Sequence, residues 1–152
     1  MATLAKAIQD DSGKAIDTVD RDLRRRFSSH KPPQRLISVV SETAAFLRPK
    51  MFVPWDRFSG KGLNKTLGRG QSKRFKSYQE YLADFESAWR GEPGEKIREY
   101  IDQNNRAIAA EMKSSGLPKG LETKPKFQRR VLDFCLMKLG GGMRRQKLEA
   151  RS

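Results

Sequence analysis

Apolar residues recur at three- and four-residue steps along most of the chain. No two-residue alternation lasts long enough to compete, so the pattern predicts an all-α fold. Leu4 and Ile8 place a short helix near residues 2–9. Ile16, Val19, Leu23 and Phe27 form the stripe of a helix from about Ser12 to Phe27. Its last turn holds Arg24, Arg25 and Arg26, where cations suit the negative end of the helix dipole. Ser28 to Pro33 breaks the chain, and Pro32 and Pro33 are pre-set to open the next helix, Gln34 to Leu47. Leu36, Val39, Val40, Thr43, Ala44 and Leu47 give that helix a broad apolar face, and Pro49 stops it. Met51 to Trp55 is apolar and too short for a helix, which predicts a buried connector.

Residues 57–72 read as loop, with Gly60, Gly62, Gly68 and Gly70 and one helical turn near Leu63 to Leu67. Ser77-Tyr78-Gln79-Glu80 fits a capping box and starts a helix to Arg90, with Tyr78, Leu82, Phe85 and Trp89 on one face. Gly91 and Pro93 end it. One helix is expected from Gly94 to Lys113, with Ile97, Tyr100, Ile101, Ile108 and Met112 inward. Glu92–Lys96, Arg98–Asp102 and Asp102–Arg106 are helix-spaced ion pairs on its wet side. After a linker from Ser114 to Lys124, a last helix runs from Pro125 to the Gly140-Gly141-Gly142 break. Phe127, Val131, Phe134, Cys135 and Lys138 step along one side of it, and Leu132, Leu136 and Leu139 widen the apolar surface, which predicts a central helix. The sum is a compact single-domain bundle of about five to six helices over 1–142, with a basic glycine-containing loop. The helices ending at Leu47 and starting at Pro125 are expected to be its most buried, and 143–152 a mobile basic tail.

Composition narrows the chemistry. At 152 residues one domain is expected, and eight Phe, three Tyr and two Trp supply its core. No run of about 18 apolar residues predicts a membrane span, and no secretory signal is visible. One cysteine, Cys135, excludes a disulfide within the chain, and one histidine, His30, excludes the usual Cys/His zinc clusters. No metal and no cofactor are expected. A Ser-His-Asp or Cys-His enzyme would have to use His30, which reads as a surface loop residue, while Cys135 reads as a small core residue.

Charge then changes the picture. Lys plus Arg number 32 against 18 Asp plus Glu, a net +14. The sign is segregated: residues 57–79 carry seven basic groups and no acid, 80–111 carry four basic and eight acidic, and 112–152 carry eleven basic and three acidic. Two basic blocks around an acidic one predict a face for phosphates and a face turned away from them. Nucleic acid is the expected partner, DNA ahead of RNA because no aromatic signature of the common RNA-reading sheets is present. Structured RNA, a ribonucleoprotein or an acidic protein partner remain alternatives. The binding residues are expected at Arg57, Lys61, Lys65, Arg69, Lys73, Arg74 and Lys76, with Arg144 and Arg145 adding affinity from the tail. Phe58, Phe75 and Tyr78, interleaved with them, either stack on bases or anchor the loop. A cytoplasmic location follows, at the nucleoid if the source is bacterial.

Asp56, between Trp55 and Arg57, is followed by no other acid until Glu80 and has two readings: a reactive carboxylate, or a helix cap or ion-pair anchor that pins the connector. Gly60-Lys61-Gly62 partly matches a helix-hairpin-helix turn, in which backbone N–H groups approach a phosphate. Ser41, Phe46, Leu47, Pro49, Phe52, Pro54, Asp56, Leu67 and Gly68 occur in that order, and Arg130-Val131-Leu132-Asp133 precedes an apolar helix. This pattern resembles the 8-oxoguanine DNA glycosylase-like, helix-hairpin-helix fold family of bacteria over about a quarter of the chain. The resemblance implies duplex DNA as partner, a role in DNA repair and a catalytic aspartate at Asp56. Lyase-type members also use a lysine amine as nucleophile, and the corresponding position here is Glu42. That leaves both a water-activating enzyme and a binding-only relative open.

Overall fold

Seven helices and no strand occur among the described residues, 13–27, 36–70 and 73–141 of the computed structural model. They are α1 (Gly13–Phe27), α2 (Ile37–Leu47), α3 (Arg57–Thr66), α4 (Tyr78–Arg90), α5 (Glu92–Gln103), α6 (Asn105–Ser114) and α7 (Pro125–Leu139). The all-α expectation holds. The short helix expected at 2–9, the break at 28–33, His30 and the 143–152 tail lie outside the described residues.

The centre of the core is α4, whose Tyr78, Tyr81 and Phe85 are fully buried. Four donors at its start all find acceptors. Ser77 Oγ takes the Glu80 N–H at 3.1 Å, and Glu80 Oε2 takes the Lys76 N–H at 2.8 Å. The carboxylate of Asp17, reaching from α1, takes the N–H groups of Tyr78 at 2.6 Å and Gln79 at 3.1 Å. The predicted capping box thus forms with one change, because Glu80 reaches one residue further back than the usual box. Asp17 adds a cap from sixty residues away in sequence and ties α1 to α4.

The connector 51–55 is buried as expected, with Phe52, Val53 and Trp55 in the core. The N–H groups of Met51 and Phe52 return to Arg48 O, at 3.0 and 3.1 Å, and beyond them the backbone has no ladder partner, so its polar groups need side chains. The Tyr78 hydroxyl donates to Val53 O at 2.7 Å and lies 3.0 Å from Val53 N, whose N–H it accepts. The Tyr81 hydroxyl donates to Pro54 O at 3.1 Å, and Ser41 Oγ accepts from Trp55 N at 2.9 Å. Trp55 stacks on Tyr81 with ring centroids 5.4 Å apart.

Three expectations are corrected. Residues 57–66 are a helix, not a loop: Asp56 caps the start, and the two glycines inside it are sites of close approach. A Cβ at Gly62 would stand 1.9 Å from Leu136 O, and one at Gly140 would stand 2.0 Å from Phe58 O, so α3 and α7 touch backbone to backbone. The single helix expected from Gly94 to Lys113 is two, α5 and α6, broken at Asn104. Tyr100 faces solvent, and Arg98 stacks on Trp89, 4.7 Å from its ring centroid, in place of pairing with Asp102. Of the three expected ion pairs, Glu92–Lys96 forms at 2.6 Å.

Burial of α2 and α7 also departs from the expected pattern. α2 buries Ile37, Val40, Ser41, Ala44 and Ala45 but exposes Val39, Phe46 and Leu47, with Phe46 84% exposed. α7 buries Gln128, Arg129, Leu132, Asp133 and Leu136, whereas Phe134, Cys135 and Leu139 are exposed. Each inward charge has an ion-pair partner, although Arg129 Nε and Asp133 Oδ1 are buried without a hydrogen bond among the described residues. Arg129 meets Glu86 at 2.5 Å and lies over the Phe85 ring, and Asp133 accepts from Arg130 at 2.9 Å. Burial pushes the Asp133 carboxyl up to about 6; Arg130 opposes this, and the charges of Asp56 and Glu42 add to it.

Two outcomes follow. Gly62→Ala forces α3 off α7 and lowers unfolding stability by about 2 kcal/mol or more, outweighing the ~1 kcal/mol that alanine gains over glycine in a helix. Urea unfolding measures it. The folded state holds the Asp133 proton more tightly than the unfolded chain, whose value is near 3.8. That contribution is therefore present in acid and is lost as pH rises to about 6. In Asp133→Asn, stability measured by thermal melts between about pH 4 and 6 should decline less steeply with rising pH than in the parent.

Candidate nucleic-acid interface

The site grows from the end of the connector. Asp56 is extended, with φ −119° and ψ 179°, and its Oδ1 accepts the N–H groups of Phe58 at 2.6 Å and Ser59 at 2.7 Å. Ser59 Oγ returns the contact by accepting Asp56 N–H at 3.1 Å. Asp56 is therefore the N-cap of α3. Because the carboxylate occupies these first-turn N–H groups, an anion near α3 is drawn chiefly by side chains.

Those side chains are in register. Arg57, Lys61 and Lys65 are spaced four apart on α3 and so share one face. The returning chain brings Lys73 and Arg74 alongside. It is held there by the buried Asn64, whose Nδ2 donates to Lys73 O at 2.7 Å, and by Phe75, which packs edge-on against Trp55 with centroids 6.2 Å apart. Arg57, Lys61, Lys73 and Arg74 line a cleft of about 550 Å³ together with Trp55, Asp56, Gly60, Phe75, Ile37 and Ser38. Among the described residues none of the four cations has a carboxylate partner. Two largely buried aromatic side chains, Trp55 and Phe75, form the apolar wall, and Gly60 lies so close to the indole that its Cβ would stand 3.2 Å from Trp55 Nε1.

The remaining expected site residues separate from this group. Arg69 is committed to Asp84, with a second contact at 3.2 Å, so it anchors the loop to α4. Lys65 and Lys76 are exposed but do not line the cleft. Phe75 and Tyr78 are core residues and anchor the segment, the second of their two readings. Arg144 and Arg145 lie outside the described residues. Gly60-Lys61-Gly62 is helical, so no phosphate-binding turn forms there. Ile37 and Ser38, at the start of α2, are cleft residues that local sequence did not mark; they arrive because Ser41 ties α2 to Trp55.

Among the described residues no three His, Cys, Asp or Glu side chains are grouped to hold a metal ion. No described helix is long and apolar enough to cross a membrane. Neither a family model, nor a curated protein, nor a solved structure matches the chain.

Removing the cap tests this account of Asp56. Asp56→Ala leaves two N–H groups without their acceptor and lowers stability by about 1 kcal/mol, whereas Asp56→Asn, a comparable cap, stays within a few tenths of the parent. Equal losses in the two variants, measured by chemical denaturation, would contradict the capping role.

Proposed function

We propose that the protein binds nucleic acid, duplex DNA foremost, by placing the basic face of α3 and the 73–76 segment against phosphates. The observation that carries this reading is the convergence of Arg57, Lys61, Lys73 and Arg74, from two segments, on one cleft with the capping Asp56 as the only acid in its lining. Four clustered cations repel one another, and an arriving polyanion relieves that repulsion while releasing its own counterions. Lys65 extends the charge along α3 beyond the cleft, and Lys76 extends it along the returning chain. The acidic side chains Glu95, Glu99 and Asp102 of α5 are exposed, giving the molecule a second surface of the opposite sign. The resemblance of the Ser41–Gly68 run to DNA glycosylase-like proteins favours DNA over RNA. Asp56 contributes by starting α3 where Arg57 and Lys61 face the cleft.

The test is a salt titration of duplex binding by the parent and by a variant with all four cleft cations changed to Gln. The parent is expected to bind irrespective of sequence, with affinity falling steeply as salt rises. The variant should bind weakly and lose roughly 3 to 4 units from the log–log salt slope, at about 0.9 per phosphate contact. An unchanged slope would place the binding face elsewhere. Arg69→Gln serves as contrast: it should lower stability through loss of the Asp84 pair more than it lowers the slope.

A further inference from the structure

A cationic surface alone needs no cavity, and this one lines a half-open cleft. The cleft's volume of about 550 Å³ falls within the ~300–1,000 Å³ of ordinary small-molecule sites. Its wall is apolar and aromatic where Ile37, Trp55 and Phe75 meet, while its cations come from α3 on one side and from Lys73 and Arg74 on the other. Gly60 adds no side chain to the lining beside the indole N–H of Trp55. Such a site suits a ligand with a flat apolar part and an anionic part joined at one end.

Resting on the nucleic-acid reading above, we infer that the cleft receives one unpaired nucleotide of a strand, its base against the Trp55–Ile37 wall and its phosphates on the flanking cations. A fully paired duplex cannot enter this volume. Its bases are stacked inside, and its major groove alone is about 12 Å wide, so it meets only the rim. An unpaired nucleotide presents base and phosphate separately and satisfies both parts of the cleft. Lys65 and Lys76 lie outside the cleft and continue the charge on either segment, which favours a strand that runs on over a free nucleotide. Duplex DNA with a single-stranded overhang would then engage rim and cleft together.

Trp55 supplies the readout. The chain has two tryptophans, and Trp89 lies on α4 outside the cleft, so Trp89→Phe leaves Trp55 as the sole indole. In that background a thymidine oligomer, thymidine monophosphate, a blunt duplex and the same duplex with a short overhang are titrated while indole emission is followed. The oligomer and the overhang duplex are expected to change Trp55 emission and to bind about five-fold or more tighter than the blunt duplex, the gain that base–aromatic contact supplies. The blunt duplex binds without changing the emission, and the monophosphate changes it only at much higher concentration. Gly60→Ala, which crowds the indole without altering charge, should abolish the overhang preference, read as the ratio of overhang-duplex to blunt-duplex affinity in the same variant. The emission change in the unsubstituted cleft decides the matter even where that variant alters the fold.

A blunt duplex that binds as tightly as the oligomer, with Trp55 emission constant for every probe, overturns the inference and leaves the charge reading intact. Monophosphate binding as tight as the oligomer overturns the strand as occupant. Absence of binding by all four probes at low salt overturns both readings.

Discussion

The structure depends on satisfying a buried stretch of extended backbone. Residues 52–55 run through the core without a ladder partner, and an unpaired buried amide or carbonyl would cost free energy comparable to a lost hydrogen bond. Three hydroxyls remove that cost: Tyr78 on Val53, Tyr81 on Pro54 and Ser41 on Trp55. Burial pushes both phenols well above their ordinary range, so they stay protonated donors at neutral pH. The same contacts fix α2 and α4 against the connector, and the connector in turn delivers Trp55 to the cleft wall and Asp56 to the head of α3.

A second constraint sets where the charges point. α3 approaches α7 so closely that Gly62 and Gly140 leave no room for a Cβ. With that face of α3 committed to the protein, the Arg57–Lys61–Lys65 row is directed outward. Asn64 then binds the returning chain and sets Lys73 and Arg74 opposite the row. Arg69, which a phosphate-binding loop would also have offered, is spent on Asp84 and holds that chain to α4. The cationic cleft is therefore a product of packing among α2, α3 and the returning segment, not a property of a free basic loop.

Much of this was legible in the chain. The stripe of Ile16, Val19 and Leu23, the Ser77 cap, the buried connector and the last helix from Pro125 all rest on periodicity or local capping, which act within a few residues. α3 was hidden because Gly60 and Gly62 read as breakers. The four-residue spacing of Arg57, Lys61 and Lys65 and the Asp56–Ser59 pair were the signals of a helix. A glycine demanded by a neighbouring backbone cannot be told from one demanded by a turn until the neighbour is known. On α7 Leu132 and Leu136 are buried as expected, but Phe134 and Cys135 face out, because Arg129 and Asp133 take inward positions with the partners Glu86 and Arg130, which apolar periodicity ignores. The split at Asn104 and the outward Phe46 are likewise decided by tertiary packing.

The central claim is that polyanions meet this protein on one face, the one built by α3 and 73–76. Amide and indole chemical-shift mapping of the unsubstituted chain, titrated with DNA at low salt, tests it most directly. The account predicts that, among the described residues, the largest shifts fall on Arg57 to Lys65 and Lys73 to Lys76, with the Trp55 indole moving when the DNA carries an unpaired end. Glu95, Glu99 and Asp102 on α5 should stay still. Shifts centred on α5 or α6, or absent at low salt, would contradict it.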